Sequence, residues 1–127
     1  MRVEDAQGWR LVFEAARHPF VLLVGATDWA AELRAQEALA LLQGIATLTA
    51  QHGALTDQLL DEEAIELEWE RGPLWMALEG DRTQWSLRFV LSPDDGQRGL
   101  EGAWSAGAAA AFAAALVPLE APLQELI

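Results

Sequence analysis

Four short runs between Ile65 and Ser105 alternate apolar and polar residues with a period of two, and glycine, proline or aspartate separates each from the next. The runs are Ile65–Glu70, Leu74–Glu79, Gln84–Leu91 and Leu100–Ser105, and they hold four of the six tryptophans: Trp69, Trp75, Trp85 and Trp104. A period of two sends successive side chains to opposite faces, so each run reads as a strand with one buried side. Gly72-Pro73, Gly80-Asp81 and Pro93-Asp94-Asp95-Gly96 supply turns between them. The product is an antiparallel meander, and the rest of the chain has to cover its apolar face.

Upstream, Gly8–Glu14 alternates with Trp9, Leu11 and Phe13 on one side. Arg17-His18-Pro19 reads as a turn, since proline fixes its own φ and drives His18 out of the helical region. Phe20–Val24 follows as a second strand of a hairpin. The next segment has two readings. Asp28 caps a helix starting at Trp29, or Trp29–Arg34 is a third strand and the helix starts near Ala35. Beyond Ala35 the type is settled, with Leu39, Leu42, Ile45 (or Ala46), Leu48 and Leu55 near helical spacing. Gly44 and Gly53 each weaken that helix by up to ~1 kcal/mol, and its end falls between His52 and Glu63. After Trp104, Ser105 is placed to cap an alanine-rich helix, Ala106–Leu116, which Pro118 terminates. The tail beyond is apolar and proline-interrupted, and is expected to lie over the body or a partner with a loose end.

This amounts to one α+β domain over residues 1–127: strands across ~9–34, a helix across ~35–60, strands across ~64–105, a helix across ~106–117, and the tail 118–127. Strands then helix, twice over, suggests a duplicated unit, with Trp29-Ala-Ala and Trp104-Ser-Ala at matching strand-to-helix points.

A chain of 127 residues can bury a core without disulfide or metal staples. Its formal net charge of −12 combines 20 acids with eight bases, all arginine. Such a field repels polyanions and acidic membrane surfaces and disfavours a broad nucleic-acid footprint. With no cysteine, disulfides, thiolate catalysis and zinc–sulfur sites are all removed. No apolar leader follows Met1, and Ala106–Leu116 is roughly half the ~20 residues of a membrane span. A cytoplasmic protein is expected.

Catalytic signatures are missing. The serines are Ser86, Ser92 and Ser105, none in a G-x-S-x-G context. His18 reads as a turn residue and His52 as a surface or helix-end residue. No glycine-rich phosphate cradle occurs, and no cofactor is expected. Asp57, Asp61, Glu62 and Glu63 form either a carboxylate site for Mg²⁺ or Ca²⁺ or a solvated face; Asp57 and Asp61 would share a face if the helix continued. Asp94-Asp95-Gly96 before Glu101 lacks the alternating ligands of a calcium loop and reads as a turn.

One tryptophan stands apart. Ile65, Leu67 and Trp69 project together, as do Trp85, Leu87, Phe89 and Leu91, and both sets read as core. Trp75 projects to the opposite face with Ala77 and Glu79, and Arg88 also opposes its strand's core set. Trp75 then lies either beneath a helix or the tail, or on an open face where it can stack on a ligand or receive a partner. Trp75, Arg88, Arg71, Arg82 and Arg98 are the candidate partner or ligand surface. Glu66, Glu68 and Glu70 share one side of their strand, in position to pair with arginines across it at ~0.2–1 kcal/mol each.

Gly8-Trp9-Arg-Leu, Trp29-Ala-Ala-Glu-Leu, Asp57–Ile65, Leu78-Glu-Gly-Asp81, Trp85–Leu91 and above all Gln97–Gly107 resemble a cyanobacterial family of short proteins described only as a domain of unknown function. That resemblance spans nearly the whole chain. It implies a fold similar to the single-stranded-DNA-binding transcriptional regulators of the Whirly and positive-cofactor-four type, a β₄α arrangement repeated twice, and favours the strand reading of Trp29–Arg34. Whirly proteins hold single strands with a lysine-containing motif on a basic sheet, so no functional residue carries over to a lysine-free chain, and fold alone does not transfer function. The leading expectation is a non-enzymatic module acting through protein–protein contacts, as a homodimer. The alternative is a weak single-strand binder using the Trp75–arginine patch; the third is a carboxylate metal site.

Overall fold

The computed structural model describes residues 1–93 and 98–127; the expected turn at Pro93–Gly96, beyond Pro93 itself, and the first residue of the Gln97–Gly107 run lie outside the described residues. Eight strands form two four-stranded antiparallel meanders. The first contains β1 (Arg2–Ala6), β2 (Trp9–Phe13), β3 (Phe20–Gly25) and β4 (Ala30–Arg34); the second contains β5 (Ile65–Arg71), β6 (Leu74–Gly80), β7 (Trp85–Leu91) and β8 (Leu100–Trp104). A long helix α1 (Ala35–Leu55) follows the first sheet, and α2 (Ala109–Leu116) and α3 (Glu120–Glu125) follow the second.

In the second sheet the register is unbroken, with Trp69 opposite Met76, Met76 opposite Phe89, and Leu87 opposite Trp104. Because alternation holds on every strand, one face is apolar except for Arg71 at the end of β5. α1 packs on β5 and β6 and also on β3 and β4, while α2 packs on β2 and β7. Both helices are thus shared by both sheets, and one continuous core results. No helix among the described residues is long and apolar enough to cross a membrane.

Several expectations change. The first sheet has the four strands that the repeated β₄α arrangement implies rather than the two of a simple hairpin; Trp29–Arg34 takes the strand reading as β4, and Asp28 caps nothing helical. β1 escaped notice because Arg2-Val-Glu-Asp-Ala carries one large apolar residue; as an edge strand it is held by main-chain pairing to β2. α1 ends at Leu55, inside the expected span from His52 to Glu63, and a 3₁₀ turn, Thr56–Gln58, follows it. Its buried face includes Leu41, Ile45 and Leu48, and Ala46 is exposed. Ser105 supports α2 through its main-chain carbonyl, which accepts from Ala108 and Ala109, and regular helix begins only at Ala109. Pro118 ends α2 without releasing the chain. A 3₁₀ turn, Val117–Leu119, leads into α3, which packs on α1 with Leu123 fully buried.

Trp29 and Trp104 do not occupy matching points, since Trp29 precedes β4 and Trp104 ends β8. They are instead reciprocal. The Trp29 indole N–H donates to the Ala103 carbonyl at 3.0 Å, and the Trp104 indole N–H donates to the Gly25 carbonyl at 2.8 Å. Each half of the chain sends one tryptophan to a main-chain acceptor of the other half. Their rings lie 5.2 Å apart, and Trp104 stacks on Phe112 of α2 at 4.1 Å.

His52 stands in the last turn of α1, as the helix-end reading has it, but is buried at 6 % exposure rather than on the surface. Its Nε2 lies 2.8 Å from the Asp81 carbonyl, and a carbonyl only accepts, so Nε2 carries the proton. That bond ties the end of α1 to the β6–β7 turn. The turn is also closed by the Asp81 carboxylate, which accepts from the Thr83 N–H and hydroxyl and from the Gln84 N–H. Those bonds, the Thr83 main chain foremost, hold the Asp81 pKa below its ordinary value. A depressed folded-state pKa stabilises the fold above the unfolded value, and that contribution is lost as pH falls through the folded one. An NMR titration of the Asp81 carboxyl should give a midpoint below the ordinary aspartate value; a midpoint at or above that value would remove this account of the turn.

Candidate functional site

The outer face of the second sheet is not covered by a helix. Across its strands run Glu66, Glu79 and Ser86; then Glu68, Ala77, Arg88 and Ala103; then Glu70, Trp75, Val90 and Glu101. All five of these glutamates are exposed, as is Arg88. Trp75 therefore lies on the open face rather than under a helix or the tail. It is half-buried because the Arg88 guanidinium lies 4.6 Å from its ring centroid. The same guanidinium reaches to 3.8 Å from Glu66 Oε1. Ala77, although it points outward, is only 2 % exposed because its larger neighbours lie over the methyl group.

Beside Arg88 a shallow groove of about 350 Å³ runs toward the first sheet, lined by Asp28, Trp29, Val90, Glu101 and Ala103. The face thus combines an aromatic platform, one arginine and a surround of carboxylates. Chemically it is suited to take cations: a guanidinium can stack on an indole at ~0.5–1 kcal/mol when exposed while its N–H groups donate to carboxylates.

Of the five candidate residues, only Trp75 and Arg88 come together. Arg71 ends β5 on the inner face, where it donates to Gln43 of α1 and lies 5.1 Å from the Trp69 ring. Arg82 stands on the β6–β7 turn and pairs with Asp61 at 2.8 Å. Arg98 donates to Glu37 Oε1 and to the Glu32 carbonyl, both at 2.7 Å, and lies 4.6 Å from the Phe20 ring. The expected basic patch does not form, because each of these three guanidiniums is taken up by an acceptor on its own part of the molecule.

The carboxylates at Asp57–Glu63 also disperse. Since α1 ends at Leu55, Asp57 and Asp61 do not share a helical face; Asp61 pairs with Arg82 and Glu63 accepts from the Leu60 N–H. Among the described residues no group of three or more His, Asp or Glu side chains is placed to hold a metal ion.

Sequence reasoning missed the cluster that joins the first sheet to α1. Glu37 accepts from the Arg34 N–H at 2.9 Å and from Arg98, while the Arg34 and Arg98 guanidiniums flank the Phe20 ring. Arginine at a helix entry followed three residues on by glutamate was the available signal, but only a serine or threonine there would have marked a capping box.

Residues 4–119 match the model of a domain of unknown function, DUF1818. The chain is also similar in structure to a protein of unknown function from Prochlorococcus sp. NATL2A, whose crystal structure is ascribed to the DUF155 family: the TM-score is 0.88 at 33% identity, covering 94% of this chain and 98% of the other. Among curated proteins none matches the sequence.

Proposed function

We propose that this chain, which belongs to the DUF1818 family, is a non-catalytic protein-interaction module whose docking face is the outer face of the second sheet and whose partner presents a basic segment. One observation carries the reading: the face already holds a guanidinium, with Arg88 stacked on Trp75 at 4.6 Å and facing Glu66. Four further exposed glutamates around it have no arginine of their own on that face. Glu66, Glu68 and Glu70 alternate along the edge strand β5, about 6.7 Å apart, which is the repeat of an extended peptide whose alternate residues are basic. The field of the whole chain steers such a partner in.

The order of four strands then a helix, twice, supports a Whirly-like classification of the fold. It does not extend to a single-strand-binding role, since the open face would set five glutamates against phosphates.

The test is calorimetric titration with an extended oligo-arginine peptide and, separately, with an oligothymidylate. Peptide binding is expected at low ionic strength and should weaken as salt rises. Replacing Glu66, Glu68 and Glu70 together by glutamine should weaken it at least about tenfold, and Trp75→Ala should weaken it further. Oligothymidylate binding in place of peptide binding, or peptide binding indifferent to the triple substitution, would refute the proposal.

A further inference from the structure

The charge distribution leaves two adjoining helical segments neutral. None of the eight arginines or 20 acids falls within residues 38–51 of α1 or residues 105–119 around α2. Where these segments meet, a groove of about 300 Å³ opens between the helices, with Trp85 of the inner sheet face at its floor and Ala46, Thr49, Ala113 and Ala114 on its walls. Val117 stands beside it, 62 % exposed.

We infer that a second copy of this chain docks here, helix face to helix face, about a two-fold axis. Charge selects the occupant. Two copies that each carry −12 repel on average, and this face brings them together without setting carboxylate against carboxylate. A basic partner gains nothing from it, because it has no acid to pair with. Shape agrees. A two-fold interface must be complementary to itself, and this face carries both a projecting apolar side chain, Val117, and a recess walled by methyl groups that can receive its counterpart. The exposed alanines of α2 let the two helices approach closely. Its exposed apolar character is of the kind that marks interaction sites on otherwise polar surfaces. Such a dimer leaves the outer face of the second sheet free, so it stands independently of the basic-partner reading.

Sedimentation equilibrium of the whole chain over a range of concentrations and salt tests this. The average mass should rise above 13.9 kDa with concentration. It should also rise with salt, since screening weakens the repulsion between the copies; this is the opposite of the salt dependence of peptide binding. Ala114→Glu and Val117→Glu, at two exposed positions and each checked for native circular dichroism, should weaken association at least about tenfold by setting like charges against each other. Trp75→Ala should leave it unchanged. A mass fixed at the monomer value up to about 1 mM in high salt would overturn the inference. Association untouched by either glutamate substitution would overturn it equally, by placing the contact elsewhere.

Discussion

Trp104→Ala should lower the unfolding free energy by about 3–5 kcal/mol, as read from the shift of the denaturant midpoint at constant slope. Trp104 is fully buried, stacked between Phe112 at 4.1 Å and Phe89 at 5.6 Å, and it donates to the Gly25 carbonyl at the far side of the core. Truncation opens a cavity where β8, β3 and α2 meet and leaves a carbonyl of the first sheet without its donor. For a domain whose total stability is about 5–15 kcal/mol, that is a large fraction. Trp104→Phe separates the two effects: it keeps most of the stacking but orphans the Gly25 carbonyl, at about 1–3 kcal/mol. Trp29→Ala combined with Trp104→Ala should be non-additive by about 0.5–3 kcal/mol, since the rings touch. A Trp104→Ala cost below about 1.5 kcal/mol, well short of the truncation range, would mean that the two sheets are not joined through this residue.

The second expectation concerns two glycines of one helix that should respond with opposite signs. A Cβ built on Gly44 falls 2.6 Å from Met76 Sδ and 2.7 Å from the Trp69 ring, so α1 lies on the second sheet only because that position has no side chain. Gly44→Ala should destabilise by about 1–2 kcal/mol, the overpacking cost less the gain in helix propensity, and Gly44→Val by more. At Gly53 nothing lies within 4 Å of the added methyl. Gly53→Ala should therefore stabilise by about 0.5–1 kcal/mol. Thermal unfolding of the three variants decides the matter; stabilisation by Gly44→Ala would show that the helix stands off the sheet.

These glycines show how far the sequence could be read. Helix propensity treats Gly44 and Gly53 alike, as two weak points in α1, and nothing local distinguishes them. What separates them is that Gly44 faces Trp69 and Met76, residues from 25 and 32 positions further on. The second sheet was legible because every strand alternates and every turn carries its own marker. β1 was not, because its pairing is made by main-chain groups that any sequence supplies. α3 was not, because Pro118 and Pro122 interrupt the helical pattern that the body of the fold then holds in place.

The candidate site divides the same way. Opposite-face parity alone put Trp75 and Arg88 on the outer side, and they are there together. Parity could not say that Arg71, Arg82 and Arg98 would be drawn off to Gln43, Asp61 and Glu37, since each of those partners is at least 21 residues distant in the chain.

By itself, then, the sequence determined the strands of the second sheet, the long helix, the absence of thiol and lysine chemistry, and the face on which Trp75 stands, all of which follow from period, composition and turn chemistry within a few residues. Only the tertiary structure decided that Trp29 and Trp104 clasp the two halves, that His52 is buried on the Asp81 carbonyl, and that the open sheet face is acidic around one stacked arginine. Each of these depends on which distant groups the packed core brings within hydrogen-bonding or contact distance, and that is set by the whole chain at once.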